Sequence, residues 1–176
     1  MLTVRSLREG MNNDGKFHAY PFKALLHPLG MSNTVPEMDR GGDFLLSSQV
    51  WTTARDLGRL GQLYLDDGVW TYDGRLKRIL PEGWAGYVAA PAPAQPPNRQ
   101  GEAASEPGRG YGAKFWLYEN YPGVPNDTYA ALCNRGQFLI IVSSKRAVIV
   151  RRGYDWRRNY FDGPKFTAEV LASLEK

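Results

Sequence analysis

Thr128-Tyr129-Ala130-Ala131-Leu132-Cys133-Asn134-Arg135-Gly136-Gln137-Phe138-Leu139-Ile140-Ile141-Val142 is the stretch that decides the fold. Two short apolar runs rich in β-prone side chains are split by Asn134-Arg135-Gly136-Gln137. A polar Ser143-Ser144-Lys145-Arg146 turn follows, and then Ala147-Val148-Ile149-Val150. Runs this short, divided by turn residues, predict consecutive antiparallel strands. A glycine inside such a meander marks a bulge or a place where a ligand or another backbone comes close.

Outward from the meander, the chain closes with a helix predicted after Pro164, whose apolar stripe Phe166, Val170, Leu171 and Leu174 is expected to pack on the sheet. Upstream, Leu2, Val4, Leu7 and Met11 give a partial helical period, ended by turn chemistry at Asn12-Asn13-Asp14-Gly15. Pro21 to Leu29 suits a short helix stopped by Gly30. The best-defined helix starts at Thr53, which caps free amides while Asp56 sits at the positive helix end. Leu57, Leu60, Gly61 and Tyr64 share one face, and Asp67-Gly68 closes the helix. Tyr72-Asp73-Gly74-Arg75 is a tight turn within a small hairpin, and Pro81-Glu82-Gly83-Trp84 opens another short helix reaching about Ala89. Residues 90–110, rich in Pro, Gly, Ala, Gln and Ser, read as a mobile loop, either a solvated connection or a flap near a pocket. The expected organisation is a helical and loop section over 1–125 and a strand-plus-helix section over 126–176, together one incomplete domain of the α+β class.

Composition excludes several functions. Hydrophobic residues at 43% and charged residues at 23% are ordinary globular values. A net charge of +4 without a dense basic stripe argues against a nucleic-acid partner. A single cysteine, Cys133, rules out an intrachain disulfide, and its apolar setting predicts a buried small hydrophobe. His18 and His27 have no carboxylate at ligand spacing, so no metal and no cofactor are expected. No apolar run approaches the roughly 20 residues of a membrane span.

Five segments carry a resemblance. They are His27-Pro28-Leu29-Gly30-Met31-Ser32-Asn33-Thr34, Leu45 to Leu57 with its Ser-x-x-x-Trp-Thr-Thr-Ala-Arg-Asp-Leu run, Ile79-Leu80-Pro81-Glu82-Gly83-Trp84, Tyr111-Gly112-Ala113-Lys114-Phe115-Trp116, and Asn134 to Gln137. In this order they resemble the "PLGM…T", "S…STA.DLA", "LP…W", "YG.GW" and third active-site (Lys/His-x-Gly) motifs of serine hydrolases related to β-lactamases and penicillin-binding proteins. The likeness is nearest to class C β-lactamase-like esterases and 6-aminohexanoate-dimer hydrolases, and spans most of Phe22 to Gly153. It implies the C-terminal portion of an α/β/α sandwich that hydrolyses a small-molecule ester, amide or lactam through an acyl-enzyme.

The same resemblance implies roles. The Gln137 backbone N–H would be an oxyanion donor, and Gly136 would let the strand approach substrate without a Cβ. Asn134 stands where the family has Lys or His, which disfavours a true β-lactamase, while Arg135 would restore a positive charge. Tyr111 and Trp116 would line the pocket. The remaining tryptophans, Trp51, Trp70, Trp84 and Trp156, read as packing residues, and Ser47-Ser48 as loop hydroxyls. Arg151-Arg152 reads as a solvated pair at a strand end.

The nucleophile is missing from the pattern. No serine in the chain has a lysine three residues later, so the Ser-x-x-Lys motif is absent. Tyr118-Glu119-Asn120 matches Tyr-x-Asn literally but stands too late in the family's order. The resemblance therefore implies a truncated, split or mis-started product, inactive alone, with an N-terminal half supplied separately. The alternative is a non-catalytic binding or complementing module derived from that family. Either way the resemblance implies an unpaired sheet edge and poor solubility in isolation. Family members occur in the periplasm, outside the cell or in the cytoplasm, so compartment stays open.

Overall fold

The computed structural model describes residues 2–46, 48–93, 109–156 and 161–174. The chain is a mixture of helices and antiparallel sheets, as the strand and helix periodicities predict. It divides into two compact units, residues 1–60 with 69–79, and residues 61–68 with 80–176.

In the first unit, helix α1 (Leu2–Met11) ends at Asn12, whose φ of 43° breaks the helical path. Asn13 then caps helix α2 (Asp14–Pro21), accepting from the Lys16 amide at 2.8 Å. The helix expected to begin at Pro21 thus starts seven residues earlier, and a π-type turn over Phe22–Leu26 continues it. Proline sits at the end of α2, where its missing N–H costs little because the chain is already leaving the regular ladder. Val4, Phe17 and Phe44 form the small core here, with Leu7, Met11 and Phe22 packed against it. Arg8 ties it together by donating to the Gly41 carbonyl at 2.7 Å and to Asp43 and Asp14 at 3.0 Å each.

Strands β1 (Val35–Pro36) and β2 (Val50–Trp51) form a two-residue ladder. Helix α3 (Ala54–Leu65) follows, with the Thr53 hydroxyl accepting from the Asp56 amide at 3.2 Å. The Asp56 side chain is wholly buried. It accepts from the Asn33 amide at 2.9 Å, the Thr34 hydroxyl at 3.1 Å and the Arg59 guanidinium at 2.6 Å. Strands β3 (Val69–Tyr72) and β4 (Arg75–Arg78) make a hairpin whose turn residues Asp73 and Gly74 have φ of 50° and 70°. Two successive left-handed residues match the strand twist, which is why Asp-Gly sits there.

In the second unit, helix α4 (Trp84–Ala89) precedes a five-stranded antiparallel meander. Its strands are β5 (Arg109–Tyr111), β6 (Trp116–Tyr118), β7 (Thr128–Cys133), β8 (Gln137–Val142) and β9 (Ala147–Arg152), in that spatial order. Residues 94–108, most of the predicted mobile loop, lie outside the described residues. Its upstream rim is tied to β5 by the Ala92 amide donating to the Tyr111 carbonyl at 2.8 Å.

One sheet face carries Ala130, Ile140, Val142 and Ile149 against helix α5 (Gly163–Leu174) through Leu171, with Phe166 and Val170 beside them. Leu174, expected in that stripe, is exposed at the last residue of α5. On the other face the α3 residue Gly61 lies so close that a Cβ would stand 2.5 Å from Val148 Cγ1 and 2.8 Å from Leu139 Cδ1. A helix–sheet contact that tight needs glycine. Phe115 packs edge-on against Tyr64 and Tyr129, with ring centroids 5.0 Å and 5.3 Å apart.

Two predictions follow from these contacts. Asp56→Ala removes at once the acceptor of the Asn33 amide, of the buried Thr34 hydroxyl and of the Arg59 guanidinium. It is expected to cost about 2–4 kcal/mol, read by chemical denaturation against the wild type. The second concerns Tyr129, whose hydroxyl is buried with no well-formed hydrogen bond among the described residues. Desolvation pushes its pKa up to about 12 from 10.0, and nearby Ser143 offsets only part of that. Its stabilising contribution is therefore complete below pH 10.0 and lost as pH rises toward about 12. Tyr129→Phe should leave neutral-pH stability unchanged or slightly raised and should flatten the alkaline limb of a stability–pH curve.

Candidate functional site

The β7–β8 connection is built by three residues, Asn134, Arg135 and Gly136, between the paired Cys133 and Gln137. Arg135 and Gly136 have φ of 59° and 79°, a left-handed pair that reverses the chain sharply. The third-motif match is thus a hairpin turn, and strand alternation does not govern where Asn134 and Arg135 point.

Segment 153–155 wraps around this turn. The Gly153 amide donates to the Gly136 carbonyl at 3.0 Å and the Asp155 amide to the Arg135 carbonyl at 3.1 Å. The Gln137 side-chain amide donates to the carbonyls of Gly153 and Arg135. Arg151 donates to the Gly136 carbonyl at 2.9 Å and forks onto Asp155 at 2.8 Å and 2.7 Å. That guanidinium holds the Asp155 carboxyl below its ordinary pKa. It also lies 3.8 Å from the Phe161 ring centroid and 5.6 Å from that of Phe138. Arg151, read from sequence as part of a solvated pair, is therefore half-buried and fully engaged. Only Arg152 beside it is exposed. A basic residue followed two and four positions later by Gly153 and Asp155 was the available signal.

Arg135 points to the outside of the turn. It donates to the Tyr154 hydroxyl and its guanidinium stands 4.7 Å and 5.3 Å from the ring centroids of Tyr154 and Trp156. Those two rings are stacked at 6.3 Å and both are exposed. Trp156 and Trp51, expected as packing residues, are 62% and 60% exposed, so neither belongs to a core. Cys133, expected buried, is exposed, since β7 runs on past its neighbour β6.

Gln137 stands in register with Cys133 on one side and Arg152 on the other. In an antiparallel ladder its N–H faces one of those strands, so its position differs from that of an amide left open to a substrate. The open edge lies elsewhere. β6 pairs with β7 only at Tyr129 and Ala130, which leaves Ala131, Leu132 and Cys133 without a strand on that side among the described residues. Tyr111 and Trp116 pair directly and touch edge-on at 5.0 Å, next to that edge through the Trp116–Ala130 register. By alternation they share the α5 face with Ala130, whereas Cys133 and Gln137 face the opposite side. Of the predicted site residues, the fold brings Asn134, Arg135, Gly136 and Gln137 together and sets Tyr111 and Trp116 apart from Gln137. Tyr118 of the literal Tyr-x-Asn match is wholly buried in β6, where no substrate reaches it. Ser48 is exposed with its amide in a local turn to Leu45, and Ser47 lies outside the described residues. No cluster of metal-ligating side chains occurs among the described residues, and no described helix is long and apolar enough to cross a membrane.

No sequence-family profile matches the chain, and no curated protein matches it. Among solved structures, "Putative 6-aminohexanoate-dimer hydrolase from Bacillus anthracis" shares its fold over 93% of this chain, with 21% identity and a TM-score of 0.58. This chain spans 42% of that protein's length. The chain accordingly shares a mixed helical and antiparallel architecture with part of that larger structure.

The turn itself is testable. Gly136 holds a φ of 79°, and a Cβ there would meet Arg151 Nη1 at 2.0 Å and Asp155 Oδ2 at 2.1 Å. Gly136→Ala should therefore destabilise by more than the roughly 1–2 kcal/mol of left-handed strain alone, measured by urea denaturation.

Proposed function

We propose that this chain is the C-terminal part of a serine hydrolase related to the β-lactamases, acting on a small-molecule ester, amide or lactam through an acyl-enzyme. The observation that carries the reading is a hydrolase-like fold over 93% of the chain that accounts for only 42% of its neighbour. The five family-like segments occur in order within that same span. In this reading the attacking serine belongs to a part of the parent that bears Ser-x-x-Lys, and this chain supplies the wall against which the acyl group lies.

Over Ala131 to Cys133 the β7 edge has no strand beside it among the described residues, and alternation turns the N–H and C=O of Leu132 outward, groups of the kind that orient an acyl chain and stabilise a developing oxyanion. Gln137 and Gly136 brace the turn that ends this edge. Asn134 in place of Lys or His favours an esterase or amidase over a β-lactamase. Arg135 supplies the local positive charge, and Tyr111 and Trp116 border the edge. A second reading, a non-catalytic module that binds an extended ligand or a complementing half, draws on the same unpaired edge.

Activity separates them from a self-sufficient enzyme. With oxyanion donors but no nucleophile, the isolated chain should not be labelled by a fluorophosphonate and should not turn over nitrocefin or a chromogenic short-chain ester. A serine of this chain modified stoichiometrically would overturn the proposal. An upstream reading frame containing Ser-x-x-Lys and Tyr-x-Asn favours the hydrolase over the binding module.

A further inference from the structure

A dense set of polar contacts in the second unit surrounds two residues that no motif assigns. Arg151 lies on β9 and Asp155 four residues on, with side chains 20% and 24% exposed. Arg151 uses one nitrogen for both the Gly136 carbonyl and Asp155 Oδ2, and a second for Asp155 Oδ1. The backbone of Asp155 holds the Arg135 carbonyl. Every carbonyl of the left-handed pair is thus bonded to this segment.

The two glycines around it fit the same device. A Cβ on Gly136 or on Gly153 would stand 2.0 Å or 2.1 Å from Arg151 Nη1. The guanidinium therefore passes between two backbones that have no side chain to obstruct it. Phe161, with its ring centroid at 3.8 Å, covers the face of the guanidinium. A lysine could not do this, since one ammonium cannot grip a carboxylate bidentately and a carbonyl in the same plane.

We infer that Arg151 and Asp155 are positioning residues of the candidate site, acting as one unit that sets the Asn134–Gly136 turn and so the end of the β7 edge. The inference rests on the proposed function for what the turn serves. The clamp itself is read independently of any activity.

The test is residue-resolved amide hydrogen exchange on the full chain, for the wild type, Arg151→Lys, Asp155→Asn and the double variant. The amides of Gly153 and Asp155, which hold the turn carbonyls, should exchange at least about tenfold faster in each single variant. Those of Ile140 and Ile149, in mid-sheet, should change by less than about twofold. The double variant should be no worse than either single one, as for partners in one unit. Additive effects, unchanged exchange at Gly153 and Asp155, or equal acceleration across the sheet would each overturn the inference. So would loss of cooperative folding in either single variant, because a device confined to the turn cannot hold up the whole unit. Fluorophosphonate labelling of a serine would sink the proposed function and leave these exchange results standing.

Discussion

One buried carboxylate fixes where the central helix of this chain begins. Asp56 takes the Asn33 amide, the Thr34 hydroxyl and the Arg59 guanidinium with no water in reach of its side chain. A charge so enclosed is tolerable only when its oxygens are occupied from several sides. Within the second unit, Gly61 meets Leu139 and Val148, and Tyr64 meets Phe115. The same carboxylate joins two segments that the sequence reading treats as separate motifs, the Pro28-Leu29-Gly30-Met31 run and the Thr53 helix start.

Elements whose cause is local were legible from sequence. The α1 span, the Thr53 cap, the Asp73-Gly74 hairpin and the three long strands depend on periodicity and turn chemistry within a few residues. Helix α2 was missed because Pro21 reads as a helix start, and only the Asn13 cap shows that it is an end. Cys133 looked buried since its own strand is apolar. Its exposure depends on β6 stopping short, which lies in another part of the chain. Leu174 has the right period for the stripe but stands at the last residue of α5, where it is exposed.

The resemblance singles out one stretch of chain, and the shape of that stretch was less legible than its turn residues. The resemblance drew attention to Asn134 to Gln137, and the structure finds there a sharply reversed, heavily hydrogen-bonded turn. What sequence could not supply was the return of the chain over that turn. Arg151 and Asp155 acquire their role through a contact across fifteen or more residues, and the arginine pair by itself does not show it; only the Gly153 and Asp155 that follow give a sign. Likewise, a Gln opening a strand does not reveal that strands stand on both of its sides, which here moves attention to the neighbouring edge of β7.

The exposure of Cys133 has a practical side. It is the chain's sole thiol, it ends the β7 edge, and it immediately precedes Asn134. A single chemical handle thus stands at the end of the β7 edge on which the proposed function rests. A spin label or fluorophore attached there needs no prior removal of competing cysteines, and would report directly on whatever occupies that rim.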